Sequence, residues 1–528
     1  MALSVRLAGY NIDADLLAQT VDLLSKLRSM ADASSPSTLS LSDTRELFEL
    51  VSERLHSDIA IEAFTPETIS AAYARISRDP QNVTELRKAA RFGITRARKS
   101  NENIIFGLGH ASVAEHAGFN FDVCGISRLA SEALQSHRLL SFTEKSQRYI
   151  TIGEDYVIPP EADELGCRSI FEESIPELFA EYSAMFKALL KKYMNSREDI
   201  PSKSEEALIE GRAKEDARYL LPLACSTQMG MTMNARNTEH VIADLSDHPL
   251  AEIRALGKAI HDAIQGLAPS LVKYVKRGDY PRANRKRVSE YFSSDISKAS
   301  AQFCYEPTVR VADFTPEGED RILRGLAFTC GRSEWGESAR SLDSSAKEEL
   351  WLEIFRDIGA HDSVLREFEM AHMTFEAEVS AACFGQLKRH RMATLLSQPY
   401  SINDGAIIPP SIRDAGLTDG FCRAIDHSRK KARSIFEIEP ELAPYLLTNA
   451  HQKRVLMQVN ARELYHFARL RSDGHAQWEI RQLSDMMLDM AIQIWPNALM
   501  LACGKDRFEE TYRTMIIDRI SPHPKNLG

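Results

Sequence analysis

The sequence predicts an α+β protein made of two tandem domains, each a small antiparallel sheet under a helical layer. Three observations carry that prediction. Landmarks recur in one order along the chain, short alternating segments recur with them, and long amphipathic helical stretches dominate the rest. DIAIEAFTPE (58–67) has a counterpart in TVRVADFTPE (308–317), SHR at 136 in RHR at 389, and VIPP (157–160) in IIPP (407–410). MTMNARNTEH (231–240) answers MQVNARELYH (457–466).

The spacing locates an insertion. From the phenylalanine of FTPE to the histidine of the HR pair is 73 residues in one copy and 76 in the other. From that histidine to the asparagine of NAR it is 97 and then 70, so the first copy carries extra chain, expected in the helical region 161–205. Each copy is expected to begin with a strand that Pro66 or Pro316 ends. AGFNFDV (117–123) and TFEAEV (374–379) alternate as half-buried strands do. A helix should then carry the HR pair, and a Pro-Pro turn should follow. The domains are expected at 1–285 and 307–528, joined by a polar linker at 286–306.

Composition sets limits. With 44% hydrophobic and 27% charged residues in 528, the chain has enough apolar content for large cores. No apolar run approaches the roughly 18 residues a membrane helix needs. Met1–Tyr10 has no signal-peptide pattern, and the eight scattered cysteines include no CxxC pair. The expectation is a cytoplasmic protein with reduced thiols, no metal site and no membrane partner. A net charge of −10 argues against nucleic-acid binding, so an anionic ligand needs a local arginine pocket.

Such a pocket is signalled by SHRLLSFTEKSQRY (136–149), dense in arginine, histidine and hydroxyl groups, and by a broken copy, KRHRMATLLSQPYS (388–401). Singly, each residue has an ordinary reading: a solvated helix end, a helix cap, a core amide. Collectively, GHASVAEH (109–116), SFTEKSQRY (141–149), QLKRHR (386–391) and NARELYHFARLRSDGHAQWEIR (460–481) resemble the flavin-dependent thymidylate synthases, the ThyX family. That family's signature is RHR, seven residues, then Ser.

The resemblance implies methylation of dUMP to dTMP, with methylenetetrahydrofolate and NADPH as co-substrates and FAD as cofactor. Carried over residue by residue, it divides the site between the copies. Copy 2 keeps Gln386, Arg389, His390, Arg391, Asn460, Arg462, His466, Arg471 and His475. Copy 1 keeps Glu144, Ser146, Gln147, Arg148 and Arg218, with Ser112 and its neighbours His110 and Glu115 resembling a segment that reaches FAD. Copy 1 has Ala133 and Ser136 where the family's Gln and first Arg belong. Copy 2 has Pro399, Ser401 and Pro444 where Ser146, Arg148 and Arg218 stand in copy 1. The implied roles are catalysis and uracil contact for Arg471, with Gln386, Arg389, Glu144, Ser146, Gln147, Arg148 and Arg218 also on dUMP. Arg389, His390, Arg391, Asn460, Arg462, His466, His475, Ser112 and Glu144 would hold FAD. A new helix near His475 should offer free N–H groups to an anion. Family tetramers imply a homodimer here, with four domains and one composite site per chain. Sequence leaves open whether that site forms within or between chains. Two further readings stay open: a flavoenzyme acting at C5 of another uridylate, and a non-catalytic nucleotide- or flavin-binding descendant.

Overall fold

A computed structural model describes residues 2–33, 63–196, 201–278, 280–292, 302–331, 334 and 342–520. The chain forms two compact units, and they do not coincide with the expected boundary near 285. One comprises Met1–Lys145, Pro159–Glu161 and Ser226–Ser293; the other comprises Ser146–Ile158, Ala162–Cys225 and Ser294–Gly528.

The first unit is built on β1 (Ser4–Tyr10), β2 (Gly118–Ser127), β3 (Ser141–Glu144) and β4 (Ser226–Asn234), antiparallel in the order β1-β2-β4-β3. Alternation decides its faces. Phe119, Phe121 and Val123 on β2 and Met229, Met231 and Met233 on β4 are buried, while Asn120, Asp122, Gln228 and Thr232 between them are exposed. Strands β2 and β4 each run straight into a helix through a capping residue. Ser127 accepts from the Ala130 N–H before helix Arg128–Gln135, and Asn234 accepts from the Asn237 N–H before helix Ala235–Ser246.

The second unit repeats the plan with β6 (Thr308–Phe314), β7 (His372–Ser380), β8 (Thr394–Ser397) and β10 (Gln452–Asn460), in the order β6-β7-β10-β8. Ser380 and Asn460 cap helices Ala381–Leu387 and Ala461–Arg471 as their counterparts do. Met373, Phe375, Val455 and Met457 face Leu464, Phe467, Ile480 and Leu483 in one core. The alternating segments and the α+β plan thus stand as expected.

The first landmark does not. In copy 1 the FTPE segment leads into helix Glu67–Arg75, with Pro66 at its N-cap, and residues 58–62 lie outside the described residues. The edge strand is supplied instead by SVRLAGY (Ser4–Tyr10), whose true partner is TVRVADF (Thr308–Phe314). Both strands pair with the next one antiparallel, and both shift register, at Leu7/Gly9 and at Val311/Asp313. The polar residue that follows closes each ladder. Gly118 donates to Asn11 Oδ1 at 2.7 Å, and His372 donates to Thr315 Oγ1 at 2.9 Å.

The HR pairs also sit differently: the helices end at Gln135 and Leu387, so Ser136–Arg138 and Arg389–Arg391 lie in the turns beyond them. Of the expected linker, helix Tyr280–Phe292 takes the start, 293–301 lie outside the described residues, and β5 (Phe303–Cys304) pairs in parallel with β9 (Ala406–Ile407). The insertion in copy 1 is a 28-residue helix, Arg168–Asn195, and a second helix, Lys203–Ala217, where copy 2 has helix Thr418–Phe436 and a short 3-10 turn.

Copy 1's insertion belongs to the second unit for a visible reason. The sequence Tyr-Leu-Leu occurs at 219–221 and at 445–447, and the two segments pair with near two-fold symmetry. Leu223 N–H donates to Leu447 O at 2.7 Å and Asn449 N–H to Leu221 O at 2.9 Å. Ala224 N–H donates to Tyr445 O at 3.1 Å and Ala450 N–H to Tyr219 O at 2.8 Å. Buried backbone groups need partners, and each segment supplies the other's.

Candidate functional site

Arg471 is the last residue of helix Ala461–Arg471, where cations suit the helix dipole. Its Nε donates to His390 Nε2 at 2.9 Å and its Nη2 to the Gln386 carbonyl at 3.4 Å. Burial, then the neighbouring guanidiniums of Arg389 and Arg148, push the Arg471 guanidinium down to about 10. Copy 1's Arg148 and copy 2's Arg389 and Arg471 belong to a single compact unit of one chain.

Arg218 enlarges the cluster. It is buried at the start of the 3-10 turn Arg218–Leu220, and its Nε donates to Glu215 O at 3.1 Å. Burial and Glu479 raise the Cys383 thiol well above its ordinary value, against the opposing pull of Arg471 and Arg218. Arg148 is half-buried, ion-paired with Glu215 and lying 5.6 Å from the Tyr149 ring centroid, and its N–H donates to Ser146 Oγ at 3.2 Å. Arg148, Arg218, Arg389 and Arg471 thus lie in one compact unit, with the half-buried Glu215 paired to Arg148. That arrangement suits a bound dianion.

The remaining expected residues divide sharply. His390 is buried, with Nε2 accepting from Arg471 and Nδ1 3.6 Å from Glu463. Its ring is neutral, since burial holds it below the usual histidine value, and it fixes Arg471 rather than presenting a nitrogen outward. Gln147 is buried, unlike Ser146 and Arg148, and accepts from Asn449 Nδ2 at 3.0 Å. Arg389 and Arg391 are exposed in the turn. Arg462 donates to Val364 O at 3.0 Å and to Glu369 at 2.8 Å, and His466 is exposed one helical turn on. Asn460 is the N-cap of its helix, accepting from Glu463 N–H at 2.8 Å. His475 is 95% exposed and 2.8 Å from Asp473. The next helix starts at Trp478 rather than near His475, and the Gln477 side chain caps it by accepting from Ile480 N–H.

In the first unit, Glu144 is committed to the protein. Its carboxylate accepts from Arg128 Nη1, Ser131 Oγ and Gln135 Nε2, each at 2.9 Å, and from Thr227 Oγ1 at 3.2 Å. Ser112 is exposed in the 3-10 helix Ala111–His116, as is Glu115, which pairs with Arg236. His137, the counterpart of His390, bonds Leu134 O and Asp244, so its Nε2 meets a carboxylate, itself paired with Arg277, where His390 meets an arginine.

Sequence reasoning missed the support beneath the cluster. Among the described residues, the buried Glu479 has no salt-bridge partner. It accepts from Ser380 N–H at 2.8 Å, from Ser380 Oγ and from Tyr219 Oη. Gln477 Nε2 donates to Tyr219 Oη at 2.9 Å, and the Tyr219 and Trp478 rings stack at 6.0 Å. Asp216 accepts from Trp478 Nε1 at 2.9 Å. The repeated Tyr-Leu-Leu was the available signal for Tyr219.

Comparison with known proteins agrees with this duplication. Residues 60–270 and 310–497 each match the family model described as thymidylate synthase complementing protein. A flavin-dependent thymidylate synthase of Clostridium tetani is 34% identical over 214 residues, 40% of this chain and 82% of that protein. A UPF0159 protein of Thermoplasma acidophilum is 22% identical over 475 residues, 81% of this chain and 93% of that one, so the double-length arrangement has a relative. The structure of a UMP/dUMP methylase from Streptomyces cacaoi matches with a TM-score of 0.33 and 18% identity, over 42% of this chain and all of that one.

Proposed function

Because the chain belongs to the family of thymidylate synthase complementing proteins and is a tandem duplication within it, we propose that it methylates C5 of dUMP at a composite site completed within one chain. The single observation that carries this reading is that copy 1's Arg148 and Arg218, gathered at Glu215, share one compact unit with copy 2's Arg471, to which Tyr219, Gln477 and Gln386 link them by hydrogen bonds.

Arg148, Arg218 and Ser146 would take the nucleotide phosphate, whose dianion offsets the repulsion among the guanidiniums. Arg471, held at two points by His390 and the Gln386 carbonyl, would lie against the uracil ring. Uracil C5 becomes nucleophilic as negative charge develops on N3 and its flanking oxygens, and a fixed guanidinium stabilises that charge without reorganising. No cysteine is needed for attack; Cys383, which feels Arg471 and Arg218, is buried and its thiol pKa is high.

FAD fits the outward-facing set. Arg389, Arg391, His466 and His475 are exposed, and cationic and imidazole donors at a surface suit a diphosphate and a flavin ring. When bound, FAD would carry electrons from NADPH to the one-carbon unit from methylenetetrahydrofolate. Two chains would give four family-length domains, with one FAD and one dUMP per chain. The test is whether the purified protein is yellow and forms dTMP from dUMP with methylenetetrahydrofolate and NADPH. Colourless protein that takes up no FAD and forms no dTMP would refute the reading.

A further inference from the structure

Beneath the arginine cluster runs a buried hydrogen-bond chain that reaches Gln386. Three donors (Ser380 N–H, Ser380 Oγ and Tyr219 Oη) converge on the Glu479 carboxylate, which is therefore an acceptor throughout. With its proton committed to Glu479, Tyr219 Oη can only accept from Gln477, and does so from Nε2 at 2.9 Å. The other end of the same amide is fixed independently, because Gln477 Oε1 accepts from the Ile480 backbone N–H at 3.2 Å. Gln477 therefore has one orientation. Gln386 is bound to it, donating from Nε2 to Gln477 Oε1 at 3.3 Å, and turning the Gln386 amide over would set two carbonyl oxygens against each other.

Gln386 is half-buried, and its backbone carbonyl holds Arg471. We propose that Gln477, set by Tyr219 and Ile480, is a positioning residue that locks the Gln386 amide in one orientation and so makes the site select uracil over cytosine. This inference rests on the reading that a pyrimidine nucleotide lies against Arg471. Uracil presents a donor at N3 beside an acceptor at O4, and cytosine presents the reverse. A freely turning amide pairs with either base. A locked amide pairs with one and leaves a donor facing a donor, or an acceptor facing an acceptor, in the other.

The experiment is the ratio of dissociation constants for dCMP and dUMP, measured by calorimetry on wild type, Gln477→Ser and Tyr219→Phe. The shared phosphate and sugar cancel in that ratio. Serine restores the helix cap but cannot reach Tyr219 or Gln386, so Gln477→Ser should melt near wild type while the ratio falls about tenfold or more. Tyr219→Phe keeps the ring stacked on Trp478 and leaves Ile480 holding Gln477, so its fall should be smaller. An unchanged ratio in folded Gln477→Ser would overturn the inference while leaving dUMP binding intact. Should Gln477→Ser not fold, an unchanged ratio in Tyr219→Phe would do the same. A wild type that binds neither nucleotide would overturn both this inference and the proposed function.

Discussion

Replacing Arg471 with leucine should sharply lower turnover and leave the unliganded protein no less stable. The guanidinium is pushed down to about 10 from its ordinary, higher value, first by burial and then by Arg389 and Arg148. That difference corresponds to about 3 kcal/mol of disfavoured charge. The sign follows from the group being a base. A folded value below the unfolded one means that the cost is present in full below pH 10 and fades as pH rises above it. At neutral pH it applies whole. Against it stands the loss of the Arg471–His390 bond, which leaves a buried ring nitrogen unsatisfied for about 1–2 kcal/mol. Arg471→Leu should therefore melt at or a few degrees above wild type without ligand. Saturating dUMP at about 100 times its Kd should stabilise wild type by about 2.7 kcal/mol and the variant by clearly less. Turnover should fall about 100- to 1,000-fold, as when one donor to a developing anion is removed. Scanning fluorimetry with and without dUMP, beside a dTMP assay, reads all three. Near-normal turnover would remove Arg471 from the chemistry, and melting far below wild type without ligand would refute the crowded-charge argument.

Other outcomes follow from neighbouring groups. Burial raises the Asp216 carboxyl from 3.8 to about 6, so its ionisation opposes folding increasingly from pH 3.8 to 6 and fully above. Asp216→Asn, which can still accept from Trp478, should thus raise the melting temperature at pH 8 by more than at pH 4.5; an equal effect at both would refute the assignment. Arg389→Ala should lower FAD content, measured by absorbance, whereas Ser136→Arg should create no second flavin site, since Ala133 and the Pro399 and Pro444 substitutions remain; doubled flavin would contradict this. Asn460→Ala should cost about 1 kcal/mol by chemical denaturation through loss of the cap, and Asn460→Ser should recover it. A folded Asn460→Ser lacking FAD would show that the amide also touches the flavin.

The alternating segments were legible because a period of two has one physical cause, a sheet with one face in the core, and Phe119, Phe121, Met229 and Met231 obey it. The first strand was misplaced because FTPE is a shared string, whereas SVRLAGY and TVRVADF share a pattern of sizes and a bulge. The arginines were legible as a set, since charge has few uses in a buried setting. Their support was not. Tyr219, Gln477 and Glu479 look like ordinary core and amide residues, and the bonds that join them span about 260 positions of sequence. His390 shows the same limit: the motif marks it as important, yet only its neighbours Arg471 and Glu463 show that it faces inward.

The central claim is that one chain completes its own site, and co-expression of two inactive variants tests it most directly. Arg148→Ala and Arg471→Ala break opposite halves of the proposed site, and each alone should be inactive. If Arg148 serves the Arg471 of its own chain, every site in a mixed dimer keeps one lesion, and the mixture should stay inactive. Recovery of dTMP formation in the mixed protein would contradict the account, because it would require Arg148 to serve the partner's Arg471.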